Sequence, residues 1–195
     1  MEVIKIALKL VTPPATEPIS LAEAKAQLRV DGSTEDTFIT SLIIAAREHC
    51  EGFQKRAYIT QTYDLWLDNW PRYGYITIPR PPLQSVTYVK YYGTDDTEYT
   101  FATADYFVDD KSDPGRVSLG YSKIWPTTTL RPANAVAVRF VAGYGNASSV
   151  PQKVKQAMLL LIAYWFDNRE AVGSVGKEIA FSVHALLWQD RLVSV

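Results

Sequence analysis

The sequence predicts an α+β fold, a helical bundle built from both ends of the chain with an antiparallel β lobe inserted between them. Residues 19–56 and 150–191 carry apolar positions at helical spacing. Residues 60–144 instead alternate with a period of two and are dense in Tyr, Trp, Thr and Pro. No helical pattern separates the strand candidates, so parallel crossover units are not expected.

Three domain segments follow from these patterns. A helical core is expected over residues 19–57 and 146–195. The inserted antiparallel β domain is expected over residues 58–145. Residues 1–18 are predicted to form an extended N-terminal arm, because Val3–Val11 alternates like a strand and a Pro-rich stretch follows it.

The first helix is predicted from its ends. Ser20 and Glu23 stand at the spacing of a capping box, and Gly32 suits the position just after the last turn. A second helix is expected to begin after Ser33 or Thr34 and to run to about Lys55.

The second helix carries one broad apolar face, made by Phe38, Leu42, Ala45, Ala46, His49, Cys50 and Phe53. Charged residues of the same helix, including Arg47 and Glu51, are expected mostly on its other sides. These spacings predict a helix that packs against the rest of the bundle along the apolar face.

The third helix is predicted to begin at Pro151, a favoured first position. Its segment Met158–Phe166 is apolar on nearly all sides, which predicts burial between several helices or under a neighbouring subunit. Gly173 and Gly176 interrupt the pattern, and Ser182 is a candidate cap for a short final helix.

Short strands separated by turn signals are predicted through the middle of the chain. They are Thr62–Asp68, Tyr75–Ile78, Val86–Tyr92, Tyr99–Phe101, Tyr106–Val108, Val117–Leu119 and Val136–Val141. The 12 Tyr and 5 Trp of the chain suit either a protein interface or aromatic pairs across neighbouring strands. Trp125 likewise suits either contact with a partner or anchoring of its own loop.

Charge and cysteine usage exclude several functional classes. The 195-residue chain has a net charge of −1 and no basic block, so no dedicated nucleic-acid surface is expected. The single Cys50 excludes an internal disulfide and a cysteine-based zinc site. No signal peptide is predicted, and the longest apolar run, Ala157–Phe166, is too short to span a bilayer, so no membrane association is expected.

No catalytic site is predicted. Cys50 and His49 are neighbours on a helix and point in different directions, and a pairing of Cys50 with His184 has no supporting pattern. Asp109, Asp110 and Asp113 match no cation-binding spacing and are typical of turns. Gly143-Tyr144-Gly145 lacks the third Gly and the Lys of known phosphate loops. We therefore expect a non-enzyme without cofactor or metal.

Six segments are informative through their order and spacing: PISLAEAKAQLRVD (Pro18–Asp31), FITSLIIAAREHCEGFQKRAYITQTYDLWLD (Phe38–Asp68), IPRPPLQSVTYVKY (Ile78–Tyr91), VRFVAGYG (Val138–Gly145), VPQKVKQAMLLLIAYWFDNREAVG (Val150–Gly173) and ALLWQDRL (Ala185–Leu192). Together they resemble the head–tail connector adaptors of tailed bacteriophages, in the longer form that is also found in phage-like gene transfer particles. The resemblance covers nearly the whole chain after about Glu17.

The resemblance implies a structural virion protein. Such adaptors form a ring of about twelve copies under the portal protein, extend the channel through which DNA passes, and offer a platform to the stopper or tail-completion protein. The expected location is the virion neck, reached from the bacterial host cytoplasm during assembly. The C-terminal segment is expected to dock onto the portal, with Phe181, Leu187, Trp188 and Arg191 as candidate contacts.

Ring assembly requires each subunit to expose two different patches. Met158, Trp165 and Phe166 are the candidate inter-subunit residues, because they belong to the over-apolar third helix. The near-neutral charge suits a channel that passes DNA without retaining it. A tail-completion or tail-terminator ring protein is the alternative, and a small hydrolase using Cys50 or the Asp109–Asp113 cluster is a third possibility.

Overall fold

The computed structural model describes residues 6–169 and 177–192, with side chains described over 7–169 and 182–192. The chain divides into two compact units. The helical unit comprises Pro14–Ile59 and Tyr144–Val195, and the β unit comprises Met1–Pro13 and Thr60–Gly143. The predicted α+β class is confirmed, since both units are built from the predicted kinds of element.

The helical unit contains four α-helices in its described part: α1 (Leu21–Leu28), α2 (Asp36–Gln54), α3 (Gln152–Asp167) and α4 (Lys177–Trp188). The predicted capping box begins α1, where the backbone amide of Glu23 donates to the Ser20 hydroxyl and the Glu23 carboxylate accepts from the Ser20 amide at 2.7 Å. The helix ends earlier than Gly32 predicted, because Arg29 already takes the left-handed conformation (φ 55°).

The third helix lies against α1, α2 and α4. This explains why its sequence is apolar on nearly all sides, since three neighbours cover three faces. Its fully buried residues are Val154, Ala157, Met158 and Ile162. The final helix begins at Lys177, so Ser182 lies inside it and the predicted cap is wrong. Gly173 and Gly176 lie outside the described residues.

The buried face of α2 is more polar than its sequence suggested. Arg47 and Glu51 are each only 6% exposed. Arg47 donates from Nε to Glu17 at 2.8 Å and from Nη1 to Glu51 at 2.9 Å, and the second oxygen of Glu51 accepts from the Tyr58 amide at 2.7 Å. Burial raises the pKa of Glu17 above its usual value, although Arg47 opposes this. Charge pairing thus places these residues inside, where the apolar pattern alone placed them outside.

The β unit contains two antiparallel sheets. Its strands are β1 (Ile6–Thr12), β2 (Gln61–Leu67), β3 (Tyr75–Thr77), β4 (Leu83–Tyr92), β5 (Glu98–Thr100), β6 (Tyr106–Asp109), β7 (Arg116–Leu119) and β8 (Val136–Ala142). The larger sheet has the order β1-β2-β8-β4-β5, and the smaller has the order β3-β7-β6.

The N-terminal segment, predicted as an extended arm with a strand-like alternation, contains a strand over Ile6–Thr12. Its strand β1 pairs with β2 in the register Leu8↔Leu65 and lies at the edge of the larger sheet. The backbone groups and side chains at this edge of β2 need a neighbouring strand. The alternating N-terminal strand supplies both the backbone hydrogen bonds and the apolar cross-strand neighbours. The segment therefore belongs to the β unit.

Aromatic side chains fill much of the β unit. Tyr63 stacks on Phe140 with ring centroids 5.5 Å apart, in register on the neighbouring strands β2 and β8. Phe140 is fully buried.

Over the described ranges, no helix combines the length and apolarity that a bilayer crossing requires.

Candidate assembly surfaces

One exposed group of the helical unit combines aromatic and cationic side chains, and we call it the C-terminal cluster: Phe53, His184, Trp188 and Arg191. The His184 imidazole stacks on the Phe53 ring with centroids 4.7 Å apart and planes 13° apart. The Arg191 guanidinium lies 4.8 Å from the Phe53 centroid and 5.2 Å from that of Trp188. The indole of Trp188 is 59% exposed, so the cluster presents apolar surface outward.

Hydrogen bonds to backbone carbonyls hold the C-terminal cluster on the end of α2. The Gln54 amide side chain donates to the Leu187 carbonyl at 2.7 Å, and the Leu192 amide donates to the Gln54 carbonyl at 3.1 Å. The Arg56 guanidinium donates to the Asp190 carbonyl at 2.5 Å. The cluster is therefore attached to the helical unit rather than carried on a loose tail.

The predicted portal contacts separate into three groups. Trp188 is exposed and Arg191 is half-buried, so both can face a partner. Leu187 is fully buried in the core of the unit and supports the helix from within. The side chain of Phe181 lies outside the described residues.

Sequence reasoning missed Phe53 and His184 as members of this cluster. The spacing of His184 and Trp188, four residues apart, places them on one face of α4 and was an available signal. Nothing in the sequence links them to Phe53, because that contact joins segments more than a hundred residues apart.

A second group lies where α3 ends near the start of α2, and we call it the α3-end cluster: Glu35, Phe38, Phe166 and Arg169. The Phe38 and Phe166 rings lie 6.0 Å apart. Arg169 lies over both rings, at 4.7 Å and 4.8 Å, and pairs with Glu35 at 3.2 Å.

The three predicted inter-subunit residues differ in how much surface they offer. Phe166 and Trp165 are half-buried, and Trp165 makes an edge contact with His49 at 5.9 Å. Met158 has no exposed surface and packs within the core of its own unit. It therefore has nothing to offer a neighbour in this conformation, because it lies on the side of α3 that packs inside the unit.

The smaller sheet of the β unit exposes aromatic residues on one face. Tyr75 and Phe107 both pair with Ser118, which places all three on the same side of the sheet. Their neighbours on the opposite side include Val117, which is fully buried. Tyr121, in the loop after β7, is 98% exposed. The aromatic side chains of the β unit therefore lie on its surface as well as in its interior.

The loop that holds Trp125 is anchored within the β unit. Trp125 stacks on Trp70 at 4.8 Å with planes 8° apart, and its indole Nε1 donates to the Tyr73 carbonyl at 3.2 Å. Of the two interpretations of this residue, anchoring of its own loop is the one that these contacts explain.

Cys50 cannot act as a nucleophile in this fold. It is fully buried, and burial raises the pKa of its thiol to about 12, so almost no thiolate forms near neutral pH. His184 is exposed on α4 and stacks on Phe53. A base on the surface and a protonated thiol in the core do not form a catalytic pair.

The acidic turn after β6 is occupied by its own hydrogen bonds. Asp109 accepts from the Ser112 hydroxyl at 2.6 Å and from Arg116 at 2.7 Å, and these contacts hold its pKa well below the usual value. Asp110 pairs with Lys111. Within the described ranges, no group of three or more His, Cys, Asp or Glu side chains is arranged to hold a metal ion.

Comparison with known proteins assigns a family. Residues 17–185 match the model of a family described as head completion protein. The chain is also similar to a chain in the neck of an empty gene transfer agent (GTA) particle computed with C6 symmetry, at 25% identity, 97% coverage of both chains and a TM-score of 0.82. No curated protein matches.

Two further solved structures show the same architecture. One belongs to the virion of a native gene transfer agent particle, at 25% identity, 96% coverage of both chains and a TM-score of 0.79. The other belongs to the neck of a native GTA particle computed with C12 symmetry, at 24% identity and a TM-score of 0.76, covering 96% of this chain and 97% of that one. The last shows the fold alone.

The family match spans 169 of the 195 residues, counted from 17 to 185, and therefore covers both units. It confirms the resemblance seen in the sequence motifs. The chain belongs to the head completion protein family and is a structural, non-enzymatic head–tail connector protein of the phage type.

Proposed function

We propose that this protein forms a ring of about twelve copies in the virion neck, beneath the portal. In this role it extends the DNA channel and provides the platform on which the stopper or tail-completion protein docks. The observation that carries the proposal is the match over nearly the full chain to components of gene transfer agent necks computed with six-fold and twelve-fold symmetry.

The arrangement of the helical unit supports binding to two different partners, a neighbouring copy in the ring and the portal. The α3-end cluster uses Phe38 near the start of α2, and the C-terminal cluster uses Phe53 at its end. These positions are about 22 Å apart along the helix at 1.5 Å per residue. Two distinct aromatic and cationic surfaces therefore lie at opposite ends of one rigid element.

We assign the two surfaces to different partners. Phe166 of the α3-end cluster and the adjacent Trp165 contact the neighbouring copy in the ring. Trp188 and Arg191 of the C-terminal cluster contact the portal. Exposed Trp and Arg side chains are enriched among residues that dominate the binding energy of interfaces.

The charge of the chain supports passage of DNA rather than its retention. Twenty basic residues balance twenty-one acidic ones, and the net charge is −1. A protein that neutralised many phosphates would bind the duplex tightly at physiological salt and oppose its movement. A near-neutral channel wall avoids this.

The oligomeric state, measured alone and after addition of purified portal, tests the ring. Light scattering and negative-stain microscopy should show ring-sized particles when portal is present. The double variant Trp165→Ala/Phe166→Ala should fail to assemble, whereas Lys111→Ala, an exposed change in the β unit, should assemble normally.

The biological role has its own test. Particles that lack the protein should lose their packaged genome or fail to join tails. If such particles retain DNA and join tails as the wild type does, the proposed role is wrong.

A further inference from the structure

We infer that the C-terminal cluster is a receptor for a carboxylate side chain of its partner, an Asp or Glu that lies next to an apolar residue. The inference rests on the proposed docking of this cluster to the portal and names the chemistry that the portal segment must carry. Its structural basis is the Arg191 guanidinium, whose Nε has no hydrogen-bond partner.

Among the residues that the structure describes, Arg191 is held in place without a negatively charged partner. Two aromatic rings, Phe53 and Trp188, contact its guanidinium at 4.8 Å and 5.2 Å. Its backbone amide donates to the Trp188 carbonyl at 3.1 Å. Its Nε is buried and has no hydrogen-bond partner, and no Asp or Glu in the described part of the chain forms an ion pair with it.

Such a group is unusual for a structural arginine. A buried guanidinium N–H without a partner costs free energy, and most buried polar groups find a partner. The rings restrain the planar fork in one orientation, which removes part of the entropy that binding would otherwise cost. Because Nε is buried, the two terminal nitrogens Nη1 and Nη2 are the ones suited to a bidentate carboxylate from a partner.

The nearest acidic residue does not fill this role. The Asp190 carboxylate pairs with Lys153 at 2.6 Å, and its backbone carbonyl accepts from Arg56. Among the described residues, the carboxylate nearest to Arg191 in sequence is therefore already engaged by Lys153 and leaves the Arg191 guanidinium available to a negative charge from a partner.

A groove next to the guanidinium supplies the apolar half of the site. His184, Ala185, Trp188 and Gln189 line a shallow groove of about 390 Å³. Trp188 thus contacts Arg191 and also forms one wall of the groove. A carboxylate on Arg191 would place an adjacent apolar side chain against the indole, which combines the two kinds of contact found at interface hot spots.

Binding to purified portal rings from the same particle, measured by biolayer interferometry, tests the inference. The full-length Arg191→Gln variant removes the charge and should weaken binding about ten- to a hundredfold, the range of a lost charge-assisted hydrogen bond. Arg191→Lys keeps the charge without the fork and should lose less. Lys111→Gln, an exposed charge in the β unit, should bind as the wild type does. Thermal unfolding of each variant checks the fold.

The partner residue can then be identified by charge exchange. Arg191→Glu should abolish binding, and changing one Asp or Glu of the portal to Lys should restore it. Point variants are needed because deleting residues 181–195 would also remove the core residues Val183 and Leu187.

The outcomes separate this inference from the docking proposal. If Trp188→Ala abolishes binding while Arg191→Gln leaves it unchanged, the cluster docks but does not recognise a carboxylate, and the inference is wrong. If neither variant changes binding, both the inference and the docking proposal are wrong.

Discussion

The helical unit and the β unit solve the same packing problem with different side chains. The helical core is mainly aliphatic, and it also buries the Arg47–Glu51 pair, which half-buried Glu17 extends. The β unit relies on stacked aromatic pairs such as Tyr63 with Phe140 and Trp70 with Trp125.

The two units also differ in how many large apolar side chains they expose. Of the ten large apolar side chains exposed in the described part of the chain, eight belong to the β unit. The helical unit exposes only Ile44 and Trp188 in this class. A helical unit with few exposed apolar residues binds through a small number of defined contacts, whereas the β unit offers a broader aromatic surface.

The largest expected effect tests the aromatic core of the β unit. Phe140→Ala removes a fully buried ring and should lower the free energy of unfolding by about 3–5 kcal/mol. Tyr121→Ala removes an exposed ring and should change it by less than about 0.5 kcal/mol. Denaturant unfolding followed by near-UV circular dichroism measures both, and equal effects would contradict the assignment of core and surface.

A comparable effect is expected in the buried charge network of the helical unit. Arg47→Ala removes the cation that pairs with the buried Glu51 and the half-buried Glu17, and it should cost about 3 kcal/mol of stability. Glu48→Ala is the matched control, because Glu48 is exposed and contacts Arg47 only at 3.5 Å. The same denaturant series measures both variants, and a control as costly as Arg47→Ala would show that the network is not structural.

A smaller effect is expected at the anchored loop. Trp125→Ala should cost about 1–2 kcal/mol, since the ring is half-buried and its main contact is the stack on Trp70. Stacked indoles 4.8 Å apart also couple electronically. We therefore expect the wild type to show an exciton couplet in its far-UV circular dichroism spectrum and this variant to lack it. Trp188→Ala, in the helical unit, should leave the couplet intact.

A still smaller, pH-dependent effect is expected at the turn after β6. Bonds from Ser112 and Arg116 lower the folded-state pKa of Asp109 below its usual value of 3.8. The stabilisation is therefore present above pH 3.8 and is lost as the pH falls through the folded pKa. The difference in Tm between wild type and Asp109→Asn should shrink as the pH is lowered below about 4; a constant difference from pH 7 to pH 2 would contradict this.

The smallest expected signal is the reactivity of the single thiol. Cys50 is fully buried with a pKa of about 12, so a maleimide reagent at pH 7.5 should not label the folded protein over hours. Labelling in denaturant should follow the unfolding of the helical unit alone. Rapid labelling without denaturant would show that the helical core opens far more readily than its packing indicates.

Local patterns predicted most elements correctly. The capping box of α1 and the strands β2 and β8 were recognisable because each depends on residues close together in sequence. The start of α4 was misjudged because Ser182 is only one of several residues able to cap a helix. The end of α1 at Arg29 was missed because a non-glycine residue takes the left-handed conformation there.

The candidate surfaces were predicted only in part. Trp188 stood out as an exposed aromatic in a terminal helix, and it is exposed. Met158 was selected for its apolar segment, but the pattern could not distinguish burial by its own helices from burial by a neighbour. Phe53 and His184 were missed because their stacking depends on the packing of α4 against α2.

The amino-acid sequence alone determined the α+β class, the identity of most elements and the family resemblance, because periodicity and motif order are encoded along the chain. Tertiary structure decided which side chains share a surface. Only packing brings Arg191 onto Phe53, buries Arg47 against Glu17 and joins β1 to β2. These contacts depend on distances between segments far apart in the chain, and no local pattern contains that information.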